Sequence, residues 1–418
     1  MTTASTPIIP DYAQPTAAGG FVTQTLALFV DAYRELNAKK LFWIVLILSV
    51  VVVAGFATMG INERGVTLFK LEFPGAWNTN LITKGEFYKM LFVIFAIPIW
   101  LAWLATILAI ISTSSIFPDM LSGGSIDLYL AKPIARLRLF LTKYITGLTF
   151  VTLQVAGFSI TAFFVIGIRG GSWEPGLFLA IPIMVLFFSY LFSVCVLLGV
   201  LTRSTIAAML LTLLIWLFFW AAHTSEQTIH LFRITAEVRQ EKLAKVIARN
   251  DADIARYREQ AQPATTQTAQ PPASTQPATA PSGAGVEGLI RNIEFQRDAT
   301  IKQKEDAVGT LTNLQLADRI AHGVNVFVPK TTQTVDLLRR SLVNAAHLPG
   351  QYDEEERNNN RRGGRNRDND FNPGDPEVQK RLRRDIDSTS PMYVIGTSIG
   401  FELVILALGA WAFCRRDF

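Results

Sequence analysis

The chain has 418 residues, 50% of them hydrophobic and only 17% charged, with a formal net charge of +5 and a mean hydropathy of +0.29. Soluble domains carry about 25% charged residues, and the small basic excess is too thin for a phosphate-backbone footprint, so no nucleic acid is expected as a partner. The two cysteines, Cys195 and Cys414, sit in or beside apolar runs and do not suggest a disulfide framework.

Residues 1–20 are polar and lack a basic start followed by an apolar core, so they read as a flexible tail and not as a signal peptide. Over 21–40, Leu26, Phe29, Val30, Tyr33 and Leu36 recur at helical spacing, with Asp31, Arg34 and Glu35 off that stripe. This pattern predicts an amphipathic helix lying on a membrane surface. A bilayer core takes about 20 apolar residues of helix. Six runs are long enough: 41–59, 91–113, 145–168, 177–201, 205–222 and 392–413. Pro98 and Pro182 fall inside the second and fourth, where each predicts a kink. Thr202-Arg203-Ser204 makes the fourth and fifth runs a tight hairpin.

Orientation follows from Lys and Arg in the short loops. With the N-terminus inside, the inner set holds ten (Arg34, Lys39, Lys40, Lys132, Arg136, Arg138, Lys143, Arg203, Arg415, Arg416) and the outer set five (Arg64, Lys70, Lys84, Lys89, Arg169). Both termini are therefore expected in the cytoplasm. The domains read as 41–222 for spans one to five, with a basic inner segment at 117–143, and 391–418 for the sixth span and its cytoplasmic end.

Residues 223–390 form a long, nearly neutral insert that this topology places outside. Helices are predicted over 231–259 and 286–316, pairing across a thin apolar seam, and a short one over Asp336–Val343. The charge-free Pro/Ala/Thr/Gln stretch 260–285 predicts a flexible linker, and 351–375, with its Glu, Asn and Arg-Gly runs, predicts disorder.

Leu121-Ser-Gly-Gly124 spells the start of a cassette-ATPase signature, but no Gly-rich phosphate loop ending in Gly-Lys-Ser/Thr occurs anywhere in the chain. The four histidines are scattered and fit no zinc spacing. No cofactor, metal or catalysis is therefore expected on this chain. Glu402 is the clear charge inside a span. It reads either as a substrate-path or proton-linked group or as a hydrogen-bonded lock between helices, with Gln154 or Tyr190 as partner.

Gly124-Ser-Ile-Asp-Leu-Tyr-Leu-Ala-Lys-Pro-Ile-Ala-Arg136, then Leu139-Phe-Leu-Thr-Lys143, resembles the cytoplasmic segment of ABC type-2 transporter permeases. The ending Phe413-Cys-Arg-Arg-Asp-Phe418 is similar to that family's usual close. The resemblance covers roughly 21–222 and 391–418. It implies an all-α six-helix transmembrane bundle in the bacterial cytoplasmic membrane, paired with a second copy or a sibling permease. It also implies a separate ABC ATP-binding subunit, carrying ATP and Mg, that drives export. The residues matching the coupling segment are Asp119, Ser125, Asp127, Lys132, Pro133, Arg136 and Arg138. Simple positive-inside anchoring explains the three bases equally well. The insert exceeds what most members carry and is expected to meet an extracytoplasmic partner. A membrane-anchored scaffold, organising envelope partners through that insert, is the alternative function.

Overall fold

In the computed structural model, the residues described are 40–69, 71–74, 79, 82–121, 135–261, 283–326, 328–345 and 371–415, with 30, 33, 34 and 37 ahead of them. Two compact units emerge. The first gathers residues from 1–219, 329–348 and 394–418, and the second those from 220–328 and 349–393. The predicted surface helix, the linker and the disordered stretch lie largely outside the described residues. Val30, Tyr33, Arg34 and Asn37 are helical, and 371–375 is ordered enough to cap a helix.

The first unit begins with α1 (Lys40–Ala57), apolar on every side. Phe42, Val45, Ser49 and Val53 are buried, while Trp43, Ile44, Ile47 and Val51 face outward. In water that outward face would be a liability; against lipid chains it is the expected surface. A three-stranded antiparallel meander follows: β1 (Met59–Asn62), β2 (Gly65–Leu68) and β3 (Leu71–Pro74), with Met59 opposite Leu68 and Gly65 opposite Pro74. Gly65, at φ 149°, takes the turn after β1 that a Cβ would strain. The Tyr88 hydroxyl donates to the Met59 carbonyl at 2.5 Å and ties the sheet to the next helix.

That helix, α2 (Lys84–Leu121), starts at a capping box. The Thr83 N–H donates to Glu86 Oε2 at 2.9 Å, and the Glu86 N–H donates to Thr83 Oγ1 at 3.3 Å. From Phe92 to Ala105 it widens into a π-helix around Pro98, which lacks the N–H that either ladder would need. The chain continues through α3 (Arg136–Gly170), α4 (Pro175–Thr202), α5 (Thr205–Ala261), α6 (Gly283–Val326), α7 (Thr331–Ala345), α8 (Pro376–Ser388) and α9 (Pro391–Arg415). Gly171, at φ 68°, ends α3 in the left-handed conformation that glycine favours. Pro182 lies in the first α-helical turn of α4, after a 3-10 start.

Among the described residues, six helices are long and apolar enough to cross a membrane: α1, α2, α3, α4, α5 and α9. The chain is a helical, multi-pass membrane protein. Its most enclosed span is α4, with 72% of its apolar window buried. The helix of the fifth span continues past residue 222: α5 runs unbroken for 57 residues. The short helix read inside the insert is longer, Thr331–Ala345, and belongs to the first unit, where it packs against α2 and α4. Its buried positions, Thr331, Thr334, Leu338 and Leu342, repeat every three to four residues.

The second unit comprises α5 beyond Trp220, α6 and α8. Its apolar centre is small: Ile234, Val238 and Val378, flanked by Leu231 and Leu382. Polar and ionic pairs supply the rest. His230 on α5 meets Asp318 of α6 at 3.5 Å and Asp385 of α8 at 3.2 Å. Arg233 meets Asp318 at 3.1 Å, and His322 meets Glu226 at 3.0 Å. Asp375 caps α8 by accepting from the Glu377 N–H at 3.0 Å, and it also receives Lys242 Nζ. Arg381 grips Glu241 with two bonds of 2.8 and 2.6 Å. That guanidinium holds the Glu241 carboxyl below the usual carboxylate range.

A carboxyl whose pKa is lowered by folding contributes stability above its unfolded pKa, and loses it as pH falls through the folded value. The pair is half exposed, so its worth is below about 1 kcal/mol. Amide exchange in α8 is therefore expected to quicken by up to about fivefold in Arg381→Gln at neutral pH and low salt. The gap between variant and parent should close in molar salt and in acid, as Glu241 protonates.

Candidate functional site

Two places in the first unit bring together residues with chemical or mechanical roles. One is the end where α2 finishes and α3 begins; the other is the carboxylate on α9.

At the first, Ile116–Leu121 forms the last turns of α2. Asp119 is exposed, while Phe117, Pro118 and Met120 are buried. Phe117 meets Phe140 of α3 at 5.1 Å between ring centroids, and Phe140 meets Phe413 of α9 at 5.8 Å. Gly409 lets that ring approach: a Cβ there would lie 3.3 Å from Phe140 Cζ. Pro118 rests on Gly199 of α4, where a Cβ would be 3.3 Å from Pro118 Cδ. Arg136 donates to the Cys414 carbonyl at 3.2 Å, satisfying one of the last orphan acceptors of α9. Arg138, half-buried, and Lys143, buried, line the same start of α3.

The segment read as 117–143 therefore enters and leaves through residues seated against α3, α4 and α9. Asp119, Arg136 and Arg138 stand at these two ends. Ser125, Asp127, Lys132 and Pro133 lie outside the described residues. The contact of Arg136 with Cys414 gives that base a structural duty that its position in the sequence did not reveal.

The second place is Glu402, about halfway along α9. Its Oε1 accepts from the Tyr144 hydroxyl of α3 at 2.7 Å, and its Oε2 from the Ser189 hydroxyl of α4 at 2.8 Å. Each donor also reaches a backbone carbonyl: Tyr144 that of Ser189 at 3.2 Å, and Ser189 that of Leu186 at 2.8 Å. Among the described residues no basic side chain forms an ion pair with Glu402. The partners expected from sequence are placed differently. Tyr190 is fully buried beside Thr334 and Ser398, and its hydroxyl makes no bond of ordinary length. Gln154 faces α1, α2 and α4.

Tyr144 was missed because it follows a run of bases and reads as an interfacial aromatic. Ser189 had one usable signal: like Glu402 it lies near the middle of its span, and a buried carboxylate needs a donor at its own depth. The group so formed joins three spans. No cluster of three His, Cys, Asp or Glu able to hold a metal occurs among the described residues.

No protein-family model matches the chain, and no curated protein or solved structure matches it.

Both places give tests. In Glu402→Leu, the Tyr144 and Ser189 hydroxyls fall back on the Ser189 and Leu186 carbonyls, so thermal unfolding in detergent should show a loss of less than about 1 kcal/mol. A loss of about 3 kcal/mol or more would make the carboxylate a structural lock. In Gly147→Ala, the new Cβ would stand 2.4 Å from the Phe192 ring. That clash is expected to lower stability by about 1–3 kcal/mol, read as a fall in Tm.

Proposed function

We propose that the chain is the membrane-embedded permease subunit of an ATP-driven exporter of the ABC type-2 kind. In this reading ATP and Mg are bound by a separate ATP-binding subunit, and residues 117–143 receive its motion. The observation that carries the reading is the resemblance of Gly124–Arg136 and of the chain's last residues to that family. It is supported by the six candidate spans and by the seating of both ends of the segment against α3, α4 and α9. A rigid seat is what mechanical coupling requires, because a push on a loosely tethered loop would dissipate as local motion. The permease pairs with a second copy or a sibling chain in the bacterial cytoplasmic membrane, with both termini in the cytoplasm.

A second reading rests on the compactness of residues 220–328 with 349–393 as a unit of their own. A scaffold for envelope partners would work through that unit. Removing it would abolish scaffold function, whereas an exporter would keep ATP-coupled activity.

Purification from the native membrane is expected to bring down a Walker-motif ATPase. In that complex, reversal of Arg136 and Arg138 to Glu should leave ATP hydrolysis running while transport falls at least tenfold. Arg136→Gln, which can still donate to the Cys414 carbonyl, should retain most transport. A pure, active complex with no nucleotide-binding subunit would overturn the proposal.

A further inference from the structure

Gln154 is a polar group that neither candidate site uses. It lies at the middle of α3, is 5% exposed, and its Nε2 meets no acceptor among the described residues. A buried amide N–H without an acceptor is costly enough that native proteins rarely keep one. Gln154 lines a cavity of about 20 Å³ between α1, α2, α3 and α4. That volume suits one water molecule and nothing larger.

The wall also presents two hydroxyl oxygens with acceptor capacity to spare. Ser49 Oγ donates to the Val45 carbonyl at 2.9 Å and accepts from Trp100 Nε1 at 3.3 Å, leaving one lone pair. Thr106 Oγ1 donates to the Leu101 carbonyl at 2.9 Å, leaving both. The remaining lining is apolar, including Leu101, Met184 and Phe188. A cation would find no carboxylate in this wall, and an anion no cationic donor.

We propose that this cavity is a binding site for a single structural water, which accepts from the Gln154 amide and donates to Ser49 and Thr106. Three bonds are the usual complement of a buried water. The assignment fixes the amide with its N–H towards the cavity, because the water's two protons are committed to Ser49 and Thr106, whose own protons go to the Val45 and Leu101 carbonyls. The bound water links α1, α2 and α3 at mid-span, beside the C-terminal end of the π-helical stretch, a distortion that often marks functional positions.

The test is a double-mutant cycle on the full-length protein in detergent, together with a high-resolution density map. Gln154→Leu removes the amide, and Thr106→Val removes one acceptor. The bond from Thr106 to Leu101 is lost in both backgrounds and cancels. With a water bridge, Thr106→Val lowers Tm more in the parent than in Gln154→Leu, and that difference is the coupling through the water. Additive losses in Tm would overturn the proposal. The map should show a density peak within hydrogen-bond distance of Gln154, Ser49 and Thr106 in the parent and none in Gln154→Leu. A parent map in which the amide is bonded to a protein carbonyl would equally sink it, and it can be obtained even if a variant fails to fold.

Discussion

Close approach of α3 and α4 is the constraint on which the bundle depends. Between helices in lipid there is no hydrophobic gain, so association rests on packing density and a few polar contacts. Gly147 supplies the first, because only a missing Cβ lets the Phe192 ring lie against α3. Tyr144 stacks on that same ring at 5.3 Å and from there reaches Glu402. Gly199 lets Pro118 settle on the far end of α4. Enclosure of α4, the seating of the segment after α2 and the position of the α9 carboxylate all follow from the room those glycines leave.

The spans were readable because the property that makes them, unbroken apolarity over a bilayer's thickness, is local. The features that escaped are those set by partners distant in sequence. α7 carries polar residues on its buried side: Thr331 and Thr334 lie alongside Leu338 and Leu342. Hydropathy therefore assigns it to the aqueous insert, and only the packing against α2 and α4 reclaims it. The meander's strands are four residues each, with a Gly in β1 and another in β2, too short for alternation to register. At the candidate site, Glu402 was legible as an intramembrane charge, whereas Tyr144 comes from 258 residues away. No spacing rule spans that distance.

The two units differ in what holds them. In the first, aromatic rings and small residues pack densely, and polar groups are few and mostly matched. In the second, a handful of aliphatic side chains is laced by His230, Arg233 and Arg381 to carboxylates on neighbouring helices. The apolar cluster joins α5 to α8, whereas the sequence predicts a seam between α5 and α6, and hydrogen-bonded and ionic pairs take over where apolar area is lacking. A unit built this way responds to ionic strength and acidity.

The position of α7 has a consequence for how the chain matures. It is synthesised on the order of a hundred residues after α4, yet its buried face fills the space beside Tyr190. Until it emerges, that side of α4 stands open even though five spans have already been made. The bundle therefore closes late, after α5 has been made, as α7 and then α9 take their places.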